Sequence, residues 1–458
     1  MKRRGLLAAL AGAALLPACA APRGPSAEPR ALALPDAFAG RGGALPAELA
    51  PGWWRLAGCP VLDGLVTTAK AANPGLAEAM GRLAEARALE GATGQAFRPQ
   101  VGFGGNLGRE SQTWNVARRE RSQRSTLATG RAEGSLELDL AGRAAAEARM
   151  AAAETAVASA DVEAARRLLA VEIFRARAAL GEAGQRARVA ERAVTLQRRL
   201  LALAGERVRL GLAPDLDAAR VETALRRAEA RLPEATAETA RARATLAALA
   251  GRAVLDGVPE DAPPLDLRAF RFAEVPAEVL RRRPDVQAAE AALARAGAAR
   301  DLAAADLLPR VTLAGNLALG AGLMAGGLTT ALAALGPSVT LPVFDRDIRL
   351  ARVAAGDAAI EAALARHAGR VTEGAAELRR GLAAVVAVRA EDAALVRAQD
   401  AARRAGQRAE AAYRAGLADL SVTLDAALSV SEIDVARLSA ARAESEAVAA
   451  ILTAAAAG

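Results

Sequence analysis

The sequence predicts a mainly α-helical protein with a small β part, built as an internal two-fold repeat of long, coiled-coil-like helices. Three observations carry this prediction. Aromatic residues make up only 2% of the 458 residues while the hydrophobic class, dominated by alanine, reaches 53%. Such a chain lacks the bulky side chains that fill a thick globular core, and its Ala, Leu, Arg and Glu favour helices that approach closely. Landmarks in the first half recur in the second at a nearly constant offset. Apolar residues also recur every seven positions over long stretches.

Composition excludes several function classes. A mean hydropathy of +0.14 is too high for a disordered chain. A single histidine, His367, and two cysteines leave no basis for most metal sites or for histidine-based catalysis. No phosphate-binding Walker loop is present, and Gly102-Phe103-Gly104-Gly105 is not followed by a βαβ unit. An enzyme is therefore not expected, nor any cofactor beyond a covalent lipid. Of the net charge of +8, Lys2, Arg3 and Arg4 belong to a leader. The remaining charges alternate in sign along the helices, with no basic block interleaved with aromatics, which describes solvated helix faces and no nucleic-acid surface.

The N-terminus has the plan of an export signal over residues 1–18. A basic Lys2–Arg4 segment precedes the apolar run Gly5–Leu16, which is too short to span a bilayer as a helix. Leu16-Pro17-Ala18-Cys19 resembles a bacterial lipobox, with Pro17 where a small or β-branched residue is usual. Acylation of Cys19, with palmitate among the chains, is the expectation, and ordinary cleavage within Ala18-Cys19-Ala20 is the competing reading. Residues 19–70 then form a Pro- and Gly-rich tether and an equatorial segment.

Two repeats follow. Pro74 and Pro284, Pro99 and Pro309, and Asn106 and Asn316 are each 210 positions apart, and Gly211-Leu212-Ala213 matches Gly416-Leu417-Ala418 at a shift of 205. Four anchors in the same order divide the chain into repeats at 71–250 and 281–458, joined by a linker at 251–280. Each repeat reads as a helix, a strand pair, a very long helix, a tight turn (211–215 or 416–419) and a last helix.

The strand pairs lie at about 100–141 and 310–344, each read as two strands of about ten residues around a loop. The first loop is the arginine-rich segment 108–131. Val101, Phe103, Gly105 and Leu107, and Leu136, Leu138 and Leu140, alternate with polar or tiny residues. Val311, Leu313, Gly315, Leu317 and Leu319, and Val339, Leu341 and Val343, do the same. Period-two alternation with one apolar face suits a transmembrane β-strand, and equally a hairpin on a soluble sheet. The uncharged run Leu317–Gly336 is long enough for a membrane helix. Its five glycines and the following Pro337 oppose that, and so do the charges of the matching first-half segment.

The long helices carry a seam. Leu364, Val371, Leu378 and Val385 fall seven apart, and His367, Gly374 and Gly381 occupy the second seam position. Large residues alternating with small ones let neighbouring backbones approach. Leu196, Leu200, Leu203 and Leu210 continue this in the first repeat. Residues 143–210 as one helix span roughly 100 Å, a length that suits a tube or a crossing between compartments. Four strands cannot close a membrane barrel, and an open edge in lipid is forbidden, so a membrane reading demands an oligomer. Two chains supply eight strands and three supply twelve.

Several motifs now resemble one family, the TolC-type outer-membrane factors in their NodT-like lipoprotein branch, over about residues 53–455. Trp53-Trp54, Leu62-Asp63-Gly64-Leu65 and Ala72-Asn73-Pro74 resemble its opening, and Arg281-Arg282-Arg283-Pro284-Asp285-Val286 its R-R-P-D-V element. Asp139-Leu140-Ala141-Gly142-Arg143 resembles D-L-F-G-R with Ala141 for Phe. Leu341-Pro342-Val343-Phe344-Asp345 resembles L-P-I-F-D, with Arg346 where glycine is common. Tyr413-Arg414-Ala415-Gly416 and Thr423-Leu424-Asp425-Ala426 fit the last turn and helix.

The resemblance implies a homotrimer in the outer membrane of a Gram-negative bacterium. It would have a shared twelve-stranded barrel in lipid and a helical tunnel in the periplasm. Such a trimer is the passive exit duct of a tripartite efflux pump for small molecules such as drugs. Its partners are a periplasmic adaptor and an inner-membrane RND-type transporter. The turns Gly211-Leu212-Ala213 and Gly416-Leu417-Ala418 would be the adaptor-docking tips. Asp425 matches an acidic position ringing the closed periplasmic aperture, and Ser421 stands where the family has a bulky apolar residue. Two alternatives remain: an exit duct for type I protein secretion, and a soluble periplasmic coiled-coil scaffold or adaptor.

Overall fold

The computed structural model describes residues 28, 50–116, 119–260, 263–272, 277–322 and 327–455, and Cys19 lies outside them. After a short 3-10 turn at Trp53–Ala57 come α1 (Pro60–Ala72), α2 (Pro74–Ala92), β1 (Gln100–Val116), β2 (Arg119–Leu138), α3 (Arg143–Arg209) and α4 (Asp215–Leu249). Then follow α5 (Pro284–Ala305), β3 (Arg310–Gly322), β4 (Gly327–Thr340), α6 (Arg346–Arg414) and α7 (Leu420–Ala454). The repeat is visible in the lengths: α3 and α6 have 67 and 69 residues, and α4 and α7 have 35 each.

The chain packs as two compact units, and each draws on both repeats. The described part of one comprises Leu83–Ala158 and Ala289–His367; the other includes Ser159–Ala288 and Ala368–Gly458. The boundaries fall inside α2, α3, α5 and α6.

In the first unit, the strands form one antiparallel sheet in the order β1-β2-β3-β4. Its register decides how the alternation is used. Val101, Phe103 and Leu107 stand opposite Gly134, Ala132 and Ala128. Ala132, Gly134, Leu136 and Leu138 stand opposite Leu317, Gly315, Leu313 and Val311. Leu317, Gly315, Leu313 and Val311 in turn stand opposite Ala333, Leu335, Pro337 and Val339. Directly paired residues share a face, so these apolar positions of all four strands lie on one face. The other carries Gln100, Asn106, Thr129, Arg131, Glu133, Thr312, Asn316 and Ser338. The apolar face is bare within one copy: Phe103 is 84% and Leu335 79% exposed.

The described residues of the uncharged run beyond Leu317, up to Gly322 and from Gly327, are strand, and among the described residues no helix is long and apolar enough to cross a membrane. The strands are longer than alternation predicts: 17 and 20 residues for β1 and β2, 13 and 14 for β3 and β4. The arginine-rich segment 108–131 is ladder apart from residues 117–118, which lie outside the described residues. Pairing continues from Gly108↔Leu127 to Val116↔Arg119. A strand polar on both faces has no period-two signal, so backbone pairing alone reveals it.

Acidic residues fasten strands to helices. Asp139 caps α3, accepting the backbone N–H of Arg143 at 2.8 Å and of Ala144 at 3.0 Å. Asp306 accepts from Arg143 and, at 2.8 Å, from Arg310, while its carbonyl accepts from Arg349 at 2.6 Å. Below the sheet, Leu293 packs with Ile360, Ala363 and Leu364.

The second unit holds the seam's continuation. Val371, Leu378 and Val385 are buried. A Cβ at Gly381 would lie 2.7 Å from Ile451 Cγ1, and one at Gly374 would lie 3.0 Å from the Arg283 guanidinium, so the small seam positions admit α7 and Arg283 respectively. Arg283, of the R-R-P-D-V element, is buried. It donates to Asp285 at 2.9 and 3.0 Å, to Glu377 at 2.8 Å and to the Ala454 carbonyl near the end of α7 at 2.9 Å. Trp53 packs edge-on against Trp54, Phe174 and Phe270, concentrating much of the chain's scarce aromatic volume in one cluster.

Candidate functional site

Two features of the second unit contain the expected site residues, and the first is the pair of helical tips. At the end of α3, Gly211 has φ 68°, its N–H reaches the Val208 carbonyl at 2.9 Å, and the Leu212 N–H reaches Arg207 at 2.8 Å. At the end of α6, Gly416 has φ 77°, and the corresponding bonds are Gly416 to Tyr413 at 3.1 Å and Leu417 to Ala412 at 2.8 Å. These are the paired bonds of a Schellman cap, whose left-handed residue is nearly always glycine. Each cap turns the chain into an extended residue, Pro214 or Asp419, and then into the next helix. The turns present Leu212 and Leu417, 62% and 83% exposed, while Ala213 and Ala418 are partly covered.

A contact invisible in the sequence joins the two tips. Arg207 donates to the Tyr413 carbonyl at 2.6 Å and to the Leu212 carbonyl at 3.3 Å, and its guanidinium lies 4.8 Å from the Tyr413 ring centroid. Tyr413 is buried with Leu200, Ala204, Val221 and Leu420. Burial pushes its phenol above the usual value, Asp217 adds to this, and Arg207 opposes it. The position matching Arg207 in the second repeat is Ala412, so self-comparison could not find the clamp.

The second feature is a groove of about 960 Å³ between α3, α4 and α7, into which Ser421 and Asp425 project. Both are exposed. Leu196, Leu424 and Leu428 give the groove an apolar wall, so apolar surface is present although Ser421 is small. Asp425 makes no hydrogen bond or ion pair among the described residues, and any bond holding an aperture shut through it has to come from another molecule. Asp434, deeper in the groove, is engaged by Gln399 at 2.5 Å, Arg403 at 3.2 Å and Arg192 at 3.8 Å.

The outer membrane efflux protein family model matches residues 65–252 and 275–457. The chain belongs to that family. It is an outer-membrane exit channel of an efflux pump. The channel is 28% identical over 389 residues to the pyoverdine export outer membrane protein OpmQ of Pseudomonas putida, covering 81% of each chain. It is 29% identical over 325 residues to the fusaric acid resistance protein FusA of Burkholderia cepacia, covering 67% of this chain and 60% of that one. Among solved structures, the outer-membrane channel OprN superposes with a TM-score of 0.80 at 28% identity, over 94% of this chain and 99% of that one.

Proposed function

We propose that three copies of the chain form one duct, each contributing four strands to a twelve-stranded barrel and four long helices to a periplasmic tunnel. The sheet's two edges carry the reading. β1 and β4 each lack a second neighbour, four strands are too few to close, and an open edge is not tolerated in lipid. Pairing β1 of one copy with β4 of the next satisfies both edges.

The tips Gly211-Leu212-Ala213 and Gly416-Leu417-Ala418 dock a periplasmic adaptor, which joins the duct to an inner-membrane RND-type transporter. Exposed leucines on rigid glycine-capped turns suit such an interface, since the caps present them at little further entropic cost. Asp425 and Ser421 belong to the periplasmic gate, and adaptor binding shifts the population towards the open state. Cys19 is acylated and anchors the chain to outer-membrane lipid. The relatives named for pyoverdine export and fusaric acid resistance favour small molecules over secreted proteins as cargo.

The test is detergent extraction followed by negative-stain class averages of the purified particle. Three-fold hollow tubes are expected. Monomeric or dimeric rods released by carbonate without detergent would overturn the duct in favour of the periplasmic scaffold.

A further inference from the structure

The groove beside Asp425 holds five arginines, Arg192, Arg220, Arg227, Arg231 and Arg403, against two aspartates. Arg192 and Arg403 are committed to Asp434. Arg220, Arg227 and Arg231, along one face of α4, are exposed and have no hydrogen bond or ion pair among the described residues. Other exposed arginines, Arg199 and Arg404 among them, are likewise unpaired, and what distinguishes these three is that they share one face beside a groove. Neighbouring Arg226, on another face of the same helix, pairs with both Glu222 and Glu229, and Arg198 of α3 also reaches Glu229. Arg227 has Thr223, Ala224, Ala230 and Arg231 at its helical neighbour positions: no acid, and one like charge. Like charges four apart weaken a helix, so Arg227 brings it no stability, whereas Arg220 and Arg231 have Asp217 and Glu234 one turn away.

The groove's other ingredient is apolar. Leu196, Leu424 and Leu428 line it, with Leu428 47% exposed. The three arginines extend over roughly 16 Å of helix at the usual rise. A guanidinium presents a planar fork that matches carboxylate and sulfonate oxygens, whereas leucines take an apolar body. Further along α4 the adjoining pocket, which Arg231 also lines, adds Arg186, Glu234 and Glu238 and is balanced in charge, so the surplus of positive charge lies on the side of Arg220 and Arg227.

We infer that this groove is a binding site in the conduit wall for amphipathic organic anions, with Arg220, Arg227 and Arg231 taking the anionic group and Leu196, Leu424 and Leu428 the apolar body. The inference rests on the duct reading, to which it adds a cargo class. Asp425, free in the same groove, repels the anion and speeds its release.

Two readouts on the full chain, purified in a non-ionic detergent, test it. The first is binding of 1-anilinonaphthalene-8-sulfonate followed by fluorescence, which needs no conduction and so separates failure of the site from failure of the duct. Binding displaced by octanoate but not by octanol is expected, at least tenfold weaker in R220Q/R227Q/R231Q and unchanged in R226Q. The second is the reversal potential of single channels under a tenfold KCl gradient. The triple variant is expected to shift it towards cation selectivity and D425N towards anion selectivity. Equal binding by the triple variant, or equal displacement by octanol, would overturn the site. So would a triple variant that binds the dye normally but no longer assembles, since the arginines would then be subunit contacts.

Discussion

Asp425 and Arg283 show opposite uses of a charged side chain. Asp425 is exposed and unpartnered within one copy. Asp425→Ala is therefore expected to leave the stability of the fold within about 0.5 kcal/mol of the parent while raising leak conductance and open probability in planar bilayers. Unchanged single-channel records would remove it from the gate. Arg283 is enclosed by two carboxylates and a helix-end carbonyl, its side chain only 8% exposed. Arg283→Met strands those groups and is expected to cost about 3 kcal/mol, read as a lowered denaturation midpoint. Burial raises the Asp285 carboxyl, but the hydrogen bonds and charge of Arg283, the Val286 N–H and Arg370 outweigh it, so it titrates below the usual range. Its contribution is complete above the ordinary value near pH 4 and is lost as pH falls through the depressed one. Asp285→Asn should flatten the acid side of the stability profile, measured by thermal melts at pH 7 and pH 3. Both residues stand in sequence motifs, yet only their surroundings show that one is fastened and the other free.

At the scale of the element, the tips and the seam need glycine for different reasons. Gly211 and Gly416 need a left-handed backbone, and a Cβ at Gly211 would meet nothing within 4 Å. Replacing either by Glu is expected to cost only about 1–2 kcal/mol of local strain and to leave the oligomer intact on gel filtration. Efflux should be lost all the same, as adaptor contact is spoiled. Wild-type drug resistance in such a variant would free the tips of any docking role. Gly381 has an ordinary helical backbone but no space, and Gly381→Val should destabilise by about 1–3 kcal/mol through overpacking against Ile451. A lower melting temperature with unchanged helical circular dichroism is the expected signature. The repeat and the seam were legible because they are periodic. The outer halves of β1 and β2 were not, since polar residues on both faces of a ladder leave no pattern, and the Arg207 clamp was not, since only one repeat carries it.

For the whole molecule, the sheet makes the sharpest demand. Its register gathers the alternating apolar positions within the four strands onto one face and leaves two edges open, while Leu140, Leu341 and Val343 lie beyond the strand ends. Closure by three copies predicts that cysteines placed in β1 and in β4, at positions facing each other across the new seam, crosslink only between chains and yield a covalent trimer in denaturing gels. Intramolecular crosslinks alone would refute that arrangement. By itself the sequence determined the helical class, the two-fold repeat, the turn positions and the strand alternation, because each is a local periodicity or a glycine in a fixed context. The family was legible in the same way, from short motifs in order. Only the tertiary structure decided that the two compact units cut across the repeats, that Arg283 fastens the start of one helix near the end of another, and that α3, α4 and α7 enclose a groove with three unpaired arginines. Those outcomes depend on which distant faces meet, and no period along the chain records a contact between residues a hundred or more positions apart.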